Sequence, residues 1–255
     1  MPDTVRVLLL SDIHANLEAM EACLAEASSY DLVLNLGDIV GYGASPNEVI
    51  DRSRQLGKYF VRGNHDKACA GLMDVRGFNP IAAAAVVWTH HQLSPDNLKW
   101  LKALPVGPLG VDGLDGVQMV HGSPRDEDEY ILVSEDAAVS AAHSQVPLTF
   151  FGHTHIQGGF RLEGNHETTM RPNYRSLQSK ASWELKLEKG VNYMINPGSV
   201  GQPRDGDWRA GFAIFDSGNR VVTYYRVPYD IEKAQKRILE AKLPERLAAR
   251  LTQGR

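Results

Sequence analysis

Apolar residues in this chain come in short runs, and five runs stop on side chains for which a packed interior has little use. Val7-Leu8-Leu9-Leu10 leads into Asp12 and His14, Leu32-Val33-Leu34-Asn35-Leu36 into Asp38, and Phe60-Val61 into Gly63-Asn64-His65-Asp66. Val117-Gln118-Met119-Val120 ends on His121, and Leu148-Thr149-Phe150-Phe151 ends on His153 and His155. Short, nearly continuous apolar runs of this kind predict buried strands. After the first, the period lengthens: Leu17, Met20, Cys23, Leu24 and Ala27 fall on one helical face, with Asn16 placed as its N-cap. Ser45-Pro46-Asn47-Glu48 predicts a second helix with a capping box, ended by Gly57. Asn79 to Leu93 and Ser94 to Leu104 predict two consecutive helices covering one face of a sheet. Ser134 to Gln145 predicts another, with Glu135 and Asp136 in the dipole-favoured first turn.

From Gly158 onward the period shortens to two. Trp183, Leu185 and Leu187 alternate with Glu184 and Lys186, and a hairpin is written from Phe212 to Tyr225 around Ser217-Gly218-Asn219. This half predicts a mostly antiparallel sheet. Asn165 to Ser182 is polar and aperiodic, which predicts a surface loop. Asp230 to Leu251 predicts a helical segment broken near Pro244. Strand–helix alternation followed by hairpins predicts a mixed α/β fold, α+β in its second half. The expected architecture is a single domain over residues 1–255, a four-layer α/β/β/α sandwich of two mixed β-sheets packed face to face with helices outside.

Composition narrows the function classes. A formal charge of -4 gives no broad basic surface, so stable nucleic-acid binding is not expected. No apolar run approaches the roughly 20 residues of a bilayer-spanning helix, and Met1-Pro2-Asp3-Thr4 does not begin a signal segment, so no membrane partner is expected and the expected location is cytoplasmic. Cys23 and Cys69 form no Cys-x-x-Cys pair and are expected to be inert thiols in a reducing compartment. The oligomeric state is left open.

Ligands of open α/β sheets bind outside the carboxyl ends of the strands, so polar residues placed there by five strands converge. They are Asp12, His14, Asp38, Asn64, His65, His121, His153 and His155. Imidazole nitrogens with carboxylate and amide oxygens, and no thiolate, describe a site for divalent Mn, Fe, Zn, Ni or Co. With His65 set aside, Asp12, His14, Asp38, Asn64, His121, His153 and His155 are enough for two ions, and Asp38 is the expected bridge because a carboxylate has two oxygens to divide. Metals paired at about 3.5–4 Å clamp the attacking and leaving oxygens of an in-line displacement and lower the pKa of a bound water. That is what phosphoester hydrolysis needs, and it needs no redox change.

The ordered set Asp12-Ile13-His14, Gly37-Asp38, Gly63-Asn64-His65-Asp66, His121-Gly122 and Gly152-His153-Thr154-His155 resembles the calcineurin-like metallophosphoesterase superfamily. Ser11 to Leu17 and Gly37 to Gly43 resemble its small bacterial and archaeal phosphodiesterase branch, and Asn196-Pro197-Gly198-Ser199-Val200-Gly201-Gln202-Pro203-Arg204 extends the likeness. The resemblance implies a first metal on Asp12, His14, Asp38 and His155 and a second on Asp38, Asn64, His121 and His153. It implies that His65 donates a proton to the leaving oxygen or a hydrogen bond to the phosphoryl group. In the protein-phosphatase branch the Gly-Asp motif continues into an Asp that supports the catalytic histidine and an Arg that grips phosphate. Gly41 and Tyr42 stand there instead, so a protein phosphatase is not expected and another group must orient His65.

Arg204 is the candidate for the missing phosphate contact, and Asn16 for a second substrate contact at a helix N-terminus, where it also serves as a plain cap. The acidic run Asp126-Glu127-Asp128-Glu129 is expected to be a solvated loop, and His90, His91, His143 and His166 surface or satisfied residues. The expected function is a metal-dependent phosphodiesterase on a small phosphoester, with two metals activating a water and His65 as proton donor. A phosphomonoesterase or nuclease is the alternative. The fold also serves as a non-catalytic scaffold in a membrane-trafficking complex, but such relatives lose the catalytic histidine and His65 is present.

Overall fold

The structure is a computed structural model that describes residues 4–255. Twelve strands form two sheets of six. The first sheet runs, edge to edge, β3 (Tyr59–Phe60), β2 (Leu32–Asn35), β1 (Arg6–Leu10), β11 (Ala210–Asp216), β12 (Val221–Val227) and β9 (Ala181–Lys186). The second runs β4 (Leu109–Gly110), β5 (Val117–Met119), β6 (Leu148–Phe150), β10 (Asn192–Asn196), β7 (Gly158–Glu163) and β8 (His166–Met170). Within the first, β1, β2 and β3 are parallel while β11, β12 and β9 add antiparallel. Within the second, β5, β6 and β10 are parallel and β4, β7 and β8 antiparallel.

The two-sheet sandwich is therefore present, but the second half of the chain does not make a sheet of its own. It deals β9, β11 and β12 to the first sheet and β7, β8 and β10 to the second. A period of two specifies that a strand has two unlike faces, and it does not specify its neighbours. The expected loop from Asn165 to Ser182 is likewise corrected: residues 166–170 are β8, an exposed edge strand whose burial does not alternate, so its sequence shows no strand pattern.

The apolar runs read as strands because both of their faces are covered. In β1, Leu8 and Leu10 face the helices and Val7 and Leu9 face the other sheet. On the helical side of the first sheet lie α1 (Leu17–Glu26), α2 (Pro46–Leu56), α3 (Asn64–Cys69), α7 (Ile231–Glu240) and α8 (Glu245–Ala249). The helices α4 (Pro80–Gln92) and α5 (Pro95–Lys102) stack on α2 and α3, and Trp100 of α5 reaches Phe60 of β3 edge-on at 5.2 Å. Among the described residues, the outer face of the second sheet has one helix, α6 (Ser134–Ala141), over Val120, Phe151, Phe160 and Met194. Asn79 and Ser94 cap as expected, whereas Ser45 sits at the N-cap of α2 with no capping bond from its side chain.

Candidate metal centre

Strand β1 delivers Asp12 and His14, β2 delivers Asp38, and the turns after β5 and β6 deliver His121, His153 and His155. The loops are tied to one another through their backbones. The N–H groups of Asp12, His14 and Ala15 donate to the carbonyls of Gly37, Asp38 and Ile39 at 2.9–3.0 Å, and Gly152 N–H donates to His121 at 2.9 Å. Val200 and Gly201 donate to Ser11 and Asp12, each at 3.0 Å, which brings the Asn196–Arg204 segment to the same place. Asp12, His14, Asp38, His153 and His155 all have left-handed φ, between 48° and 66°. Such a conformation costs a non-glycine residue on the order of 1–3 kcal/mol, and the ties hold it.

Four imidazoles stand in two opposed pairs. His14 Nε2 is 3.1 Å from His155 Nε2, and His121 Nε2 is 3.1 Å from His153 Nδ1. Each ring's other nitrogen lies against a carbonyl: His14 on Val40 at 3.1 Å, His155 on Gln202 at 2.6 Å, His121 on Leu36 at 2.7 Å and His153 on Asp128 at 3.1 Å. A carbonyl only accepts, so the proton is on that side and, in a neutral ring, the lone pair points at the partner imidazole. Two lone pairs facing at that distance repel unless a cation lies between or beside them. Asp38 Oδ2 stands astride both pairs, 3.6 Å from His14 Nε2 and 3.5 Å from His121 Nε2, while its Oδ1 accepts from the His65 N–H at 2.8 Å. Asp38 Oδ2 is thus the oxygen that faces both imidazole pairs, while Oδ1 is turned to the His65 backbone. Ser11 Oγ donates to Asp12 Oδ2 at 2.6 Å and leaves Oδ1 without a partner, 3.3 Å from His155 Nε2.

The donor set fits divalent metals. Asp12, His14, Asp38 and His155 each offer a ligand atom within 4.8 Å of the others, as do Asp38, His121 and His153. Asn64, expected at a strand end, is instead the first residue of α3, and its buried Oδ1 also lacks a partner.

Burial pushes the pKa of His14 and His155 well below the ordinary value, and that of His153 down to about 3. His121 goes the other way: burial is outweighed by the charge of Asp38 and the bond to it, and its pKa is pushed up to about 10. Asp38 is held well below the carboxylate range, its burial outweighed by His121 and its neighbours. Burial raises Asp12 to about 7.

His65 is buried beside the pairs, its Nδ1 without a partner. Rings orient it: Tyr42 at 4.3 Å, His14 at 4.9 Å and Phe78 at 5.0 Å between centroids. Gly41 has φ +89°, and a Cβ there would come 2.5 Å from His65 Nδ1. Where an orienting Asp and a phosphate-gripping Arg stand in the protein phosphatases, this chain has clearance and a packed ring. Burial lowers the His65 pKa to about 4, so the ring is neutral at neutral pH and its N–H is a hydrogen-bond donor.

Arg204 reaches the site. Its Nη2 donates to Tyr42 Oη at 3.3 Å and Gln202 Oε1 at 3.2 Å, its Nε is buried without a partner, and its charge lowers the pKa of His65 and His155. Asn16 makes the expected cap: its oxygen accepts from Ala19 N–H at 3.1 Å, and its amide donates to the Gly201 carbonyl at 2.9 Å, tying two loops of the site. The acidic run is corrected. The Asp128 carbonyl positions His153, Glu127 pairs with Arg62 and Lys67, and Tyr130 stacks on the His153 ring at 3.8 Å. Only the adjacent His121-Gly122 motif hinted at this. Asp66 was in the motif without a role; its Oδ1 accepts from Ile39 and Val40, its Oδ2 from Gly63, and it clamps the Asp38 loop to the His65 turn. His90 and His143 bond to backbone carbonyls as expected for satisfied residues.

A four-layer α/β/β/α sandwich whose strand ends converge on acid and imidazole ligands defines a class, the metallophosphoesterases. The chain belongs to the calcineurin-like phosphoesterase superfamily, whose domain matches residues 5–220. It is 36% identical over 256 residues to an uncharacterized protein of Methanocaldococcus jannaschii, covering 98% of each chain. The crystal structure of a metallophosphoesterase from Sphaerobacter thermophilus is similar at 39% identity and TM-score 0.85, covering 99% of this chain and 100% of that one. A hypothetical protein from Pyrococcus horikoshii OT3 shares the fold at 21% identity and TM-score 0.76, covering 98% and 99%. Among the described residues no helix is long and apolar enough to cross a membrane.

Proposed function

We propose that the chain is a phosphodiesterase that hydrolyses small phosphodiesters with two divalent metals. The observation that carries this reading is the two opposed imidazole pairs astride Asp38 Oδ2. Asp12, His14, Asp38 and His155 would hold one ion, and Asp38, Asn64, His121 and His153 the other, with Mn, Fe, Zn, Ni and Co all suited to these nitrogen and oxygen donors. Bound metal supplies charge neutralisation of phosphoryl oxygens and a more acidic water. Arg204 binds a non-bridging phosphoryl oxygen through the guanidinium that already faces the site. His65, fixed by Tyr42 and Phe78, acts in its imidazolium form, which burial keeps scarce at neutral pH, and passes a ring proton to the leaving oxygen as that oxygen becomes basic, returning to the neutral ring. The segments Ser11–Leu17 and Gly37–Gly43 resemble the small phosphodiesterase branch of the superfamily. That favours the diester. Two buried, unpaired cysteines suit a reducing cytoplasm.

The test is a panel of a phosphodiester, a phosphomonoester and single-stranded DNA on protein reconstituted with each metal in turn. Diester hydrolysis with the highest kcat/KM is expected. Turnover confined to the monoester would overturn the substrate class, and turnover on DNA alone would make the chain a nuclease.

A further inference from the structure

Four strands end the two sheets, and three of them leave little edge for another strand to pair with. β3 and β4 are two residues long, and β8 runs beside α6. β9 is different: six residues without a proline, paired among the described residues with β12 alone. The segment that enters it is held elsewhere, by Arg209 on the Ser179 carbonyl and by the Tyr174 hydroxyl on Gln157.

One hydrogen bond tells which way the β9 backbone faces. Leu187 N–H donates to the Arg220 carbonyl at 2.8 Å, one step beyond the Lys186–Val221 pair of the ladder. Hydrogen-bonded residues alternate along an antiparallel pair, so Leu185 and Trp183 also turn their backbone groups to β12. Ser182, Glu184 and Lys186 turn theirs out of the sheet.

The side chains at this edge are incompletely covered on both faces. Trp183 and Leu185 pack on the core between the sheets yet are only half-buried, whereas Leu187 beyond them is buried. On the other face Glu184 and Lys186 are exposed over an open hollow of about 540 Å³. Their neighbours across the ladder, Thr223 and Val221, are uncharged, and Lys186 donates to the Asn219 carbonyl rather than to a carboxylate.

We propose that β9 pairs antiparallel with β9 of a second copy of this chain, across a two-fold axis at Leu185, so that the two first sheets become one. The charges choose the register. With the axis at Leu185, Glu184 stands opposite the partner's Lys186 and Lys186 opposite the partner's Glu184. All four have outward-facing backbone groups, so each pair also exchanges its main-chain N–H···O bonds. Moved one residue either way, the axis falls on Glu184 or on Lys186 and sets like charge against like. On the inner face Leu185 meets the partner's Leu185 and Trp183 meets the partner's Leu187, which covers the apolar surface left open. A lysine on a bare edge ordinarily discourages pairing; with a glutamate two residues away it discourages the neighbouring registers and favours this one. The pairing is independent of the reaction proposed above.

Sedimentation velocity over a concentration series is expected to show a dimer of the unsubstituted chain. Glu184→Lys and Lys186→Glu each place like charges opposite in both pairs and should weaken self-association by at least about tenfold. An equimolar mixture of the two variants restores both opposite-charge pairs and should dimerise like the unsubstituted chain. The substituted positions are exposed, and circular dichroism checks the fold. The register is read by oxidation. Two Leu185→Cys chains would meet at about 4.5 Å between Cα atoms and should form a disulfide, whereas Glu184→Cys chains should not. Cys23 and Cys69 are buried and do not interfere. A monomer at every concentration, a dimer indifferent to both charge reversals, a mixture that stays monomeric, or a disulfide at Glu184→Cys instead of Leu185→Cys would each overturn the pairing.

Discussion

The two imidazole pairs are alike in spacing and unlike in everything around them. His14 and His155 are held wholly by the chain's inner loops, their rings stacked at 4.8 Å, and burial keeps both neutral. His121 holds a proton toward His153, whose other nitrogen depends on the Asp128 carbonyl and whose ring lies under the half-exposed Tyr130. A cation entering the first pair meets lone pairs already free. One entering the second would have to displace a proton and would rest on His153, whose ring an outer loop positions. The same donor type at the same distance thus makes an inner, preorganised half and an outer, adjustable one.

Asp38 belongs to both halves, so its loss should erase the comparison and have the largest effect. Asp38→Ala is expected to lower bound metal in both halves and reduce kcat on the order of 10³-fold or more. Full metal content by elemental analysis in an active variant would remove it as the bridge.

His65 touches neither pair's opposed nitrogens and should separate chemistry from metal. His65→Asn is expected to keep the metal and lose about 10²–10⁴-fold in kcat on alkyl leaving groups, with a smaller loss on nitrophenyl esters, whose leaving oxygen needs little protonation. Equal losses on both would make His65 a positioning residue.

A smaller effect should come from Tyr130→Ala. It strips the ring from His153 and is expected to weaken the outer metal by about 10–100-fold while sparing the inner one, read as a biphasic chelator titration. A single phase weakened throughout would mean that the halves are not independent.

The smallest effect is in the metal-free protein. His14, His65, His153 and His155 have folded pKa values below the ordinary 6.5, so unfolding takes up protons on them between about pH 4 and 6.5 and stability rises with pH in that window. Asp12 and Asp66, both raised to about 7, bind protons more tightly when folded, so their contribution is lost as pH rises. Four imidazoles oppose two carboxyls, and the thermal midpoint of chelated protein should be higher at about pH 6.5 than at about pH 5. A fall would give the carboxyls the larger share.

The candidate ligands were legible in the sequence because the signal that marks them is local. A buried strand stopping on Asp, Asn or His is unusual wherever it occurs, and the runs ending at Asp12, Asp38, His121 and His153 could each be read alone. The helix caps at Asn16, Asn79 and Ser94 were legible for the same reason: a cap bonds to residues two or three along the chain. What only the tertiary structure decided is pairing. His14 meets His155 across 141 residues, and no periodicity states which imidazole a given imidazole will face. Strand neighbours are of the same kind, since β11 completes the first sheet and β10 the second from adjoining stretches of like pattern. So is the support of His65 and His153. An orienting ring or carbonyl needs only shape and a free electron pair, which Tyr42, Phe78 and the Asp128 backbone supply without any side-chain type that a sequence would mark as chemical.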